Sequence, residues 1–338
     1  MILVAKYLTK YLLLIFLILF NSCSTTNNKA IISGNTMGTT YNITLLNLSH
    51  DKDILKVEID KVLKNINQLF STYIKDSEIS NINESGSEII NLSNEFKYVL
   101  DIAIDYCKIS DGSYDITIGP LIDLWGFNKL DDKRIPSKSE IESVLDNIGY
   151  KKIYLNNSLL VKKNKDIKID LNSIAKGYGV DKVAELLSSK GYNDYLVEIG
   201  GELKSKVSSN NSNGWVIGIQ SPKSNSIIKK INLNNFSMAT SGTYNNFFEI
   251  DNLEYSHILN PKSGNPFKYK TISATVIAEN CIDADAYATI AMTMDPIDFI
   301  KLVESTTKGR VEAYLVEYDK NNQIIEYTSR SFNDFLSD

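Results

Sequence analysis

The sequence predicts an α+β fold, on three observations. Apolar residues at Ile54, Ile59, Val62, Leu63, Ile66, Leu69 and Phe70 recur at helical spacing with lysines and carboxylates between them, so a surface helix packed on a core is expected over 51–72. The second half reads as β-rich: Tyr195 to Ile199 ends at Gly200 and Gly201, Trp215 to Gln220 at Ser221 and Pro222, and Phe236 to Thr240 at Ser241 and Gly242. A strong strand, Thr271 to Ala278, is followed at once by a helix written CIDADAYATIAMTM, Cys281 to Met294. With 338 residues, 43% hydrophobic and 23% charged, the chain can bury one large core or two smaller ones and is not disordered. Forty-one acidic against thirty-six basic residues give a net charge of −5, and no Lys/Arg block is dense enough to track a phosphate backbone, which argues against nucleic acid as a partner.

Taken in order, the chain begins with a segment that does not belong to the fold. Lys6 and Lys10 precede Tyr11 to Phe20, an uninterrupted apolar run too short to span a bilayer comfortably and right for a signal-peptide core. It ends at Asn21, Ser22 and Cys23, which resembles a bacterial lipoprotein cleavage box with Phe20 where leucine is usual. On that reading residues 1–22 are a signal peptide, Cys23 is the lipidated N-terminus, and 23–30 form a polar tether. An uncleaved anchor, or a cleaved signal with an incidental cysteine, are the alternatives; each leaves the domain, 31–338, outside the cytoplasm.

The stretch MGTTYNITLLNL, preceded by Gly34 and interrupted by Gly38, reads as a strand or hairpin start with Met37 at its mouth. After the first helix, STYIKDSEISNIN is a loop containing Tyr73. A second helix covers Glu95 to Ile109 and is closed by Asp111 and Gly112. In SYDITIGPLIDLWGF, Asp115 lies among β-branched residues before Gly119 and Pro120, so a short strand ending in a turn is expected; Trp125 and Phe127 beyond it suit either a planar ligand or an aromatic core corner. Ser137 with Glu140 forms a capping box that opens a third helix. A helix at Ile297 to Thr306 and strands at Val311 to Tyr318 and Ile324 to Ser331 finish the chain.

Two stretches carry candidate chemistry. In IDLNSIAKGYGVD, an apolar run from Ile167 to Leu171 reads as a strand that delivers Asp170 to a helix capped by Asn172 and Ser173. Lys176 then falls in the first turn, where the helix dipole welcomes an anion, and Gly177 and Gly179 admit either a ligand or a tightly packed helix. In the helix after Cys281, Asp285 and Thr289 stand four apart and face the same way, hard oxygen donors of the kind Mg²⁺ takes beside phosphate; Asp283 nearer the start is explained by the dipole alone. His257 lies in the turn-rich loop YSHILNPKSGNP and is one of only two histidines; the other, His50, sits in a polar connection without a constellation. Cys107 and Cys281 show no metal spacing and form either one disulfide or two buried thiols.

Read together, MGTTY, STYIKDSEISNIN, GSYDITIGPLIDLWGF, IDLNSIAKGYGVD with VEIGGEL, ATSGTYNN with YSHILNPKSGNP, and ADAYATIAM form an ordered series that resembles the ApbE family, the FAD:protein FMN transferases, over nearly all of the chain after Cys23. The resemblance implies a T-fold-like α+β domain with mixed or antiparallel sheets and packed helices. It also implies Mg²⁺-dependent transfer of FMN from FAD to a threonine or serine of an extracytoplasmic acceptor protein, with AMP leaving. Carried over by position, it places Met37, Tyr73, Ser113, Tyr114, Asp115, Asp170, Lys176 and Leu259 at FAD. Ser173, Asp285, Ala288 through its carbonyl, and Thr289 fall at magnesium, and His257 at the general base; Asp285 would serve catalysis through the metal. Asn260 stands where family members commonly have Asp, and Asn172 where they have Gly. The implied location is the bacterial cell envelope, lipid-anchored to a membrane and facing the periplasm or the exterior. The same residues would also serve an Mg²⁺-dependent FAD pyrophosphatase, and a flavin-binding lipoprotein without catalysis is the third reading.

Overall fold

A computed structural model of the chain describes residues 29–127, 134–209, 214–224, 226–243, 247–250, 253–267, 271–321 and 323–337. The expected signal peptide, Cys23 and the tether up to residue 28 lie outside them; Lys29 and Ala30, also read as tether, already belong to the first strand. That strand, β1 (Lys29–Thr36), pairs with β2 (Thr39–Leu46) through a two-residue turn in which Met37 and Gly38 both have positive φ, 51° and 72°. This primed turn matches the strand twist, but a left-handed backbone is strained for methionine.

Helix α1 (Lys52–Phe70) is capped by Asp51, whose side chain accepts the N–H groups of Asp53 and Ile54. It buries Leu55, Ile59, Leu63, Ile66 and Phe70, so Ile54, read from sequence as inward, points to solvent and Leu55 takes its place. Next come α2 (Glu78–Glu84), β3 (Ile89–Asn91), α3 (Asn94–Ile109), α4 (Gly119–Trp125), α5 (Lys138–Leu145), β4 (Ile153–Asn156) and β5 (Leu159–Lys162). The predicted capping box is present: the Ser137 hydroxyl accepts from the Glu140 N–H, and the Glu140 carboxylate accepts from the Ser137 N–H. The chain continues with α6 (Ala175–Ser189), β6 (Tyr195–Ile199), β7 (Glu202–Lys206), β8 (Val216–Gln220), β9 (Ile227–Asn232) and β10 (Ser237–Gly242). It finishes with β11 (Phe247–Ile250), β12 (Leu253–Ser256), β13 (Thr271–Ala278), α7 (Cys281–Ala291), α8 (Pro296–Thr307), β14 (Val311–Tyr318) and β15 (Ile324–Thr328).

Eight strands form the main sheet in the order β1-β2-β6-β7-β10-β13-β14-β15, every pairing antiparallel. Side chains alternate between its faces. Ala239, Val276 and Leu315 join the core that contains α3 and α7, while their neighbours Met238, Ile277 and Tyr314 join a second core under the β8–β9 hairpin and Phe332. Helices α1 and α6 cover β1, β2 and β6. Cys107 and Cys281 are both buried and unpaired, so of the two alternatives the thiols are free. Among the described residues no helix is long and apolar enough to cross a membrane.

Three local expectations are overturned. Ile167–Leu171 is not a ladder strand: the Asn83 amide accepts from the Ile169 N–H and donates to its carbonyl, and the Asp170 N–H goes to the Ile116 carbonyl. A side chain thus satisfies backbone groups that a neighbouring strand would otherwise take. Helix α6 starts at Ala175 with Ile174 as its N-cap and no side-chain cap, so Asn172 and Ser173 lie in the preceding turn. The run after Asp115 is likewise a turn leading into α4, because the Asp115 carboxylate captures the Thr117 N–H, the Thr117 hydroxyl and the Tyr150 N–H.

Candidate active site

The site is built where the start of α6 meets α7. Gly177 makes the meeting possible: a Cβ there would stand 2.3 Å from the Cys281 carbonyl oxygen and 2.8 Å from Asp285 Cβ. Of the two roles open for this glycine, helix packing is the one observed. Its N–H donates to Asp285 Oδ2 at 2.9 Å. One turn on, Asp181 accepts the N–H groups of Cys281 and Ile282 and the Lys204 ammonium. A carboxylate from α6 therefore caps the positive end of α7, whose own N-cap residue, Asn280, makes no capping bond.

A half-buried lysine and two buried carboxyl groups follow. Lys176 donates to Glu202 Oε1, and Asp285 lies close enough to act on both electrostatically. Burial works against the Lys176 ammonium, but the charges of Asp285 and Glu202 outweigh it and raise the lysine pKa. Burial first, then repulsion from Asp285, pushes the Glu202 carboxyl up to about 8. Burial also raises Asp285, against the opposing pull of Lys176 and the Gly177 N–H. Two carboxylates against one ammonium leave the pocket short of positive charge.

The other expected residues surround this junction unevenly. Ser173 donates to the Tyr114 phenol oxygen at 2.8 Å, and Tyr114, whose pKa is raised chiefly by burial, also feels Asp285 and Asp170. Asp170 accepts from the backbone and side-chain N–H groups of Asn172, and burial holds its pKa above the usual carboxylate range. Ser113 is bonded to Thr293 at 2.8 Å. Asp115 is spent on its turn.

The last turn of α7 supplies the remaining oxygens. The Met292 N–H bonds the Thr289 carbonyl at 3.1 Å, not the Ala288 carbonyl four residues back, so the helix end tightens and releases Ala288 from its α-helical partner. A carbonyl at a helix C-terminus beside a carboxylate and a half-buried threonine hydroxyl suits a cation. Among the described residues no group of three or more His, Cys, Asp or Glu could hold a metal. A cation here would take Asp285 with the Thr289 and Ser173 hydroxyls and the Ala288 carbonyl, the sparse hard-oxygen set that suits Mg²⁺ with phosphate and water.

The His257 ring stands 6.4 Å from the Phe127 ring, tilted 68° to it. Leu259 is buried in a corner with Leu121, Trp125, Ile141 and Ile148, and the Trp125 indole donates to the Gly264 carbonyl, so Trp125 is the core corner among its two readings. Met37 reaches α6, its sulfur 3.4 Å from where a Gly179 Cβ would sit. Tyr73 is 72% exposed. A groove of about 850 Å³ lined by Glu95, Tyr98, Tyr178, Asp181, Lys204 and Ile282, among others, runs beside the α7 cap, and none of the residues expected at FAD or at magnesium lines it. Sequence reading missed Glu202 and Asp181 as site residues, although both stand in motifs it singled out, VEIGGEL and IDLNSIAKGYGVD.

Comparison with known proteins gives the family. The ApbE family model matches residues 37–315. An FAD:protein FMN transferase of Vibrio cholerae is 35% identical over 327 residues, 95% of this chain and 97% of that one. One of Haemophilus influenzae is 34% identical, covering 88% and 89%. Among solved structures, the flavin transferase ApbE from Vibrio cholerae superposes with a TM-score of 0.84 at 33% identity, covering 91% of this chain and 99% of that one. With the match running over most of its length and the architecture shared with solved members, the chain belongs to the ApbE family.

Proposed function

We propose that the protein is an Mg²⁺-dependent FAD:protein FMN transferase that moves FMN from FAD to a threonine or serine hydroxyl of an acceptor protein. The activity for which the relatives are named supports this, and the observation that carries it is Lys176 beside the buried Asp285 where the start of α6 packs on the first turns of α7. The hydroxyl oxygen attacks the FMN phosphorus, the bond to the AMP oxygen breaks, and AMP leaves with that electron pair. His257, as a neutral imidazole, accepts the hydroxyl proton. Lys176, in the first turn of α6, neutralises pyrophosphate charge together with the helix N-terminus. Magnesium, when bound by Asp285, Thr289, Ser173 and the Ala288 carbonyl, would supply further neutralisation of that charge. Tyr114, holding Ser173, keeps that hydroxyl in place.

The N-terminal segment supports a further part of the reading: residues 1–22 are removed, and lipid on Cys23 anchors the enzyme to an envelope membrane, facing the periplasm or the exterior. Mass analysis of the mature N-terminus tests that. The activity is tested by incubating the chain from Ser24 onward with FAD, Mg²⁺ and a peptide bearing a candidate acceptor threonine. An FMN adduct by mass spectrometry that disappears with EDTA is expected. Free FMN and AMP without adduct would instead make it a pyrophosphatase, and intact FAD with several acceptors would leave only flavin binding.

A further inference from the structure

Glu202 has no role in the reaction just described, yet it stands behind the lysine on which that reaction depends. The pair is lopsided: the Lys176 side chain is 31% exposed and that of Glu202 only 3%. The carboxylate is the floor of the pair and the ammonium its open side. Glu202 is also rigidly mounted, as the first residue of β7, directly opposite Ile199 of β6 across the turn at Gly200 and Gly201. Those glycines have positive φ, 61° and 100°. The second carboxylate oxygen, Oε2, is buried without a hydrogen-bond partner. Buried acceptors left in that state are rare.

We propose that Glu202 is a positioning residue: it aims the Lys176 ammonium at the pyrophosphate of FAD and acts on FAD only through that lysine. This rests on the FAD reading above. Two physical effects make such a partner necessary. A buried lysine without a counter-charge loses its proton more readily, and its four-carbon stem spreads the ammonium over many rotamers. A fixed carboxyl group behind it holds the direction and, when ionised, the charge as well. The opposite role, a negative charge that repels phosphate, predicts the opposite sign on removal.

Flavin fluorescence in EDTA gives dissociation constants for FAD and for riboflavin, which carries the ring system without phosphate. Glu202→Gln is expected to weaken FAD about tenfold, the size of one lost charge-assisted hydrogen bond. Riboflavin should change less than about twofold, and Glu202→Gln should add nothing in a Lys176→Met background. Glu202→Asp should recover part of the loss. Unchanged or tighter FAD binding by a folded Glu202→Gln overturns the proposal, as do equal losses for the two flavins or additive losses in the double variant. A wild-type chain that binds no FAD overturns the FAD reading and this inference together; a wild-type chain that binds FAD, with Glu202→Gln unaffected, overturns this inference alone.

Discussion

Gly177→Ala adds one methyl group where two helices are closest. The new carbon would lie 2.3 Å from the Cys281 carbonyl oxygen, 2.7 Å from its carbonyl carbon and 2.8 Å from Asp285 Cβ. Carbon atoms in contact rest about 3.5–4.0 Å apart, so α6 and α7 must separate by roughly 1 Å. The Cys281 atoms are backbone and cannot rotate aside, and the Cys281 and Ile282 amides are held by Asp181. Overpacking of this kind costs about 1–3 kcal/mol. Stretching the Gly177 N–H to Asp285 bond adds about 1.5–3 kcal/mol, while alanine's better helix propensity returns about 1 kcal/mol. The net loss, about 1.5–5 kcal/mol, lowers the melting temperature by roughly 2–8 °C in a chain of this size. Gly179→Ala is the control on the same helix, because its nearest neighbours are side-chain atoms at 3.4, 3.7 and 3.8 Å. Differential scanning calorimetry with and without Mg²⁺ measures both variants. Equal melting temperatures for the two would refute the assignment of Gly177 to helix contact, and an undiminished Mg²⁺ increment in a destabilised Gly177→Ala would separate packing from the metal site.

Asp285→Asn, which keeps the shape and removes the charge, should abolish the Mg²⁺-induced rise in melting temperature and lower transfer by about a hundredfold or more; retained Mg²⁺-dependent turnover would remove Asp285 from the metal. His257→Ala should lower transfer by about 10²–10⁴-fold with FAD affinity unchanged, and a full transfer rate would exclude it as the base. Asp181→Ala uncaps α7 and strands Lys204, so thermal unfolding should report a loss of about 2–4 kcal/mol; a loss within the range of an ordinary surface substitution would show the cap to be dispensable. The folded pKa of Glu202, about 8, lies above its ordinary 4.5, so its protonation stabilises the fold fully below the lower value, and that contribution is lost as pH rises through the higher one. Asp115, Asp170 and Asp285 are shifted in the same direction. The metal-free melting temperature should therefore fall between about pH 6 and pH 8, less steeply in Glu202→Gln; a rise over that interval would contradict the burial of these acids.

What could be read from the chain depended on how local the cause was. The capping box at Ser137 and Glu140, the strand Thr271–Ala278 and the pairing of Asp285 with Thr289 on one helix face follow from spacings of a few residues, and all three hold. The failures are at places where a distant side chain replaces a local partner. Ile167–Leu171 has strand composition, but Asn83, 86 residues from Ile169, supplies the hydrogen bonds. Asp115 has strand neighbours, yet its carboxylate gathers the Tyr150 N–H from 35 residues away. Glu202 escaped notice because nothing in VEIGGEL shows that Lys176, 26 residues earlier, will meet it in the fold. Asp181 reads as an ordinary helix residue until the helix it caps is in place 100 residues later.

Those separations also govern how the site comes into being. Gly177 and Asp285 are 108 residues apart, and Ser173 and Tyr114 are 59 apart. Closing loops of that size precedes any energetic return, which places such contacts late on the folding path. Strand β10 finds its neighbour β13 only after residues 247–267 have been made, and α7 follows directly on β13. A nascent or truncated chain ending before α7 thus lacks Asp285, Ala288 and Thr289 altogether. Flavin-handling capacity should emerge in one step at the end of folding, and fragments divided between α6 and α7 should recover it only by refolding together.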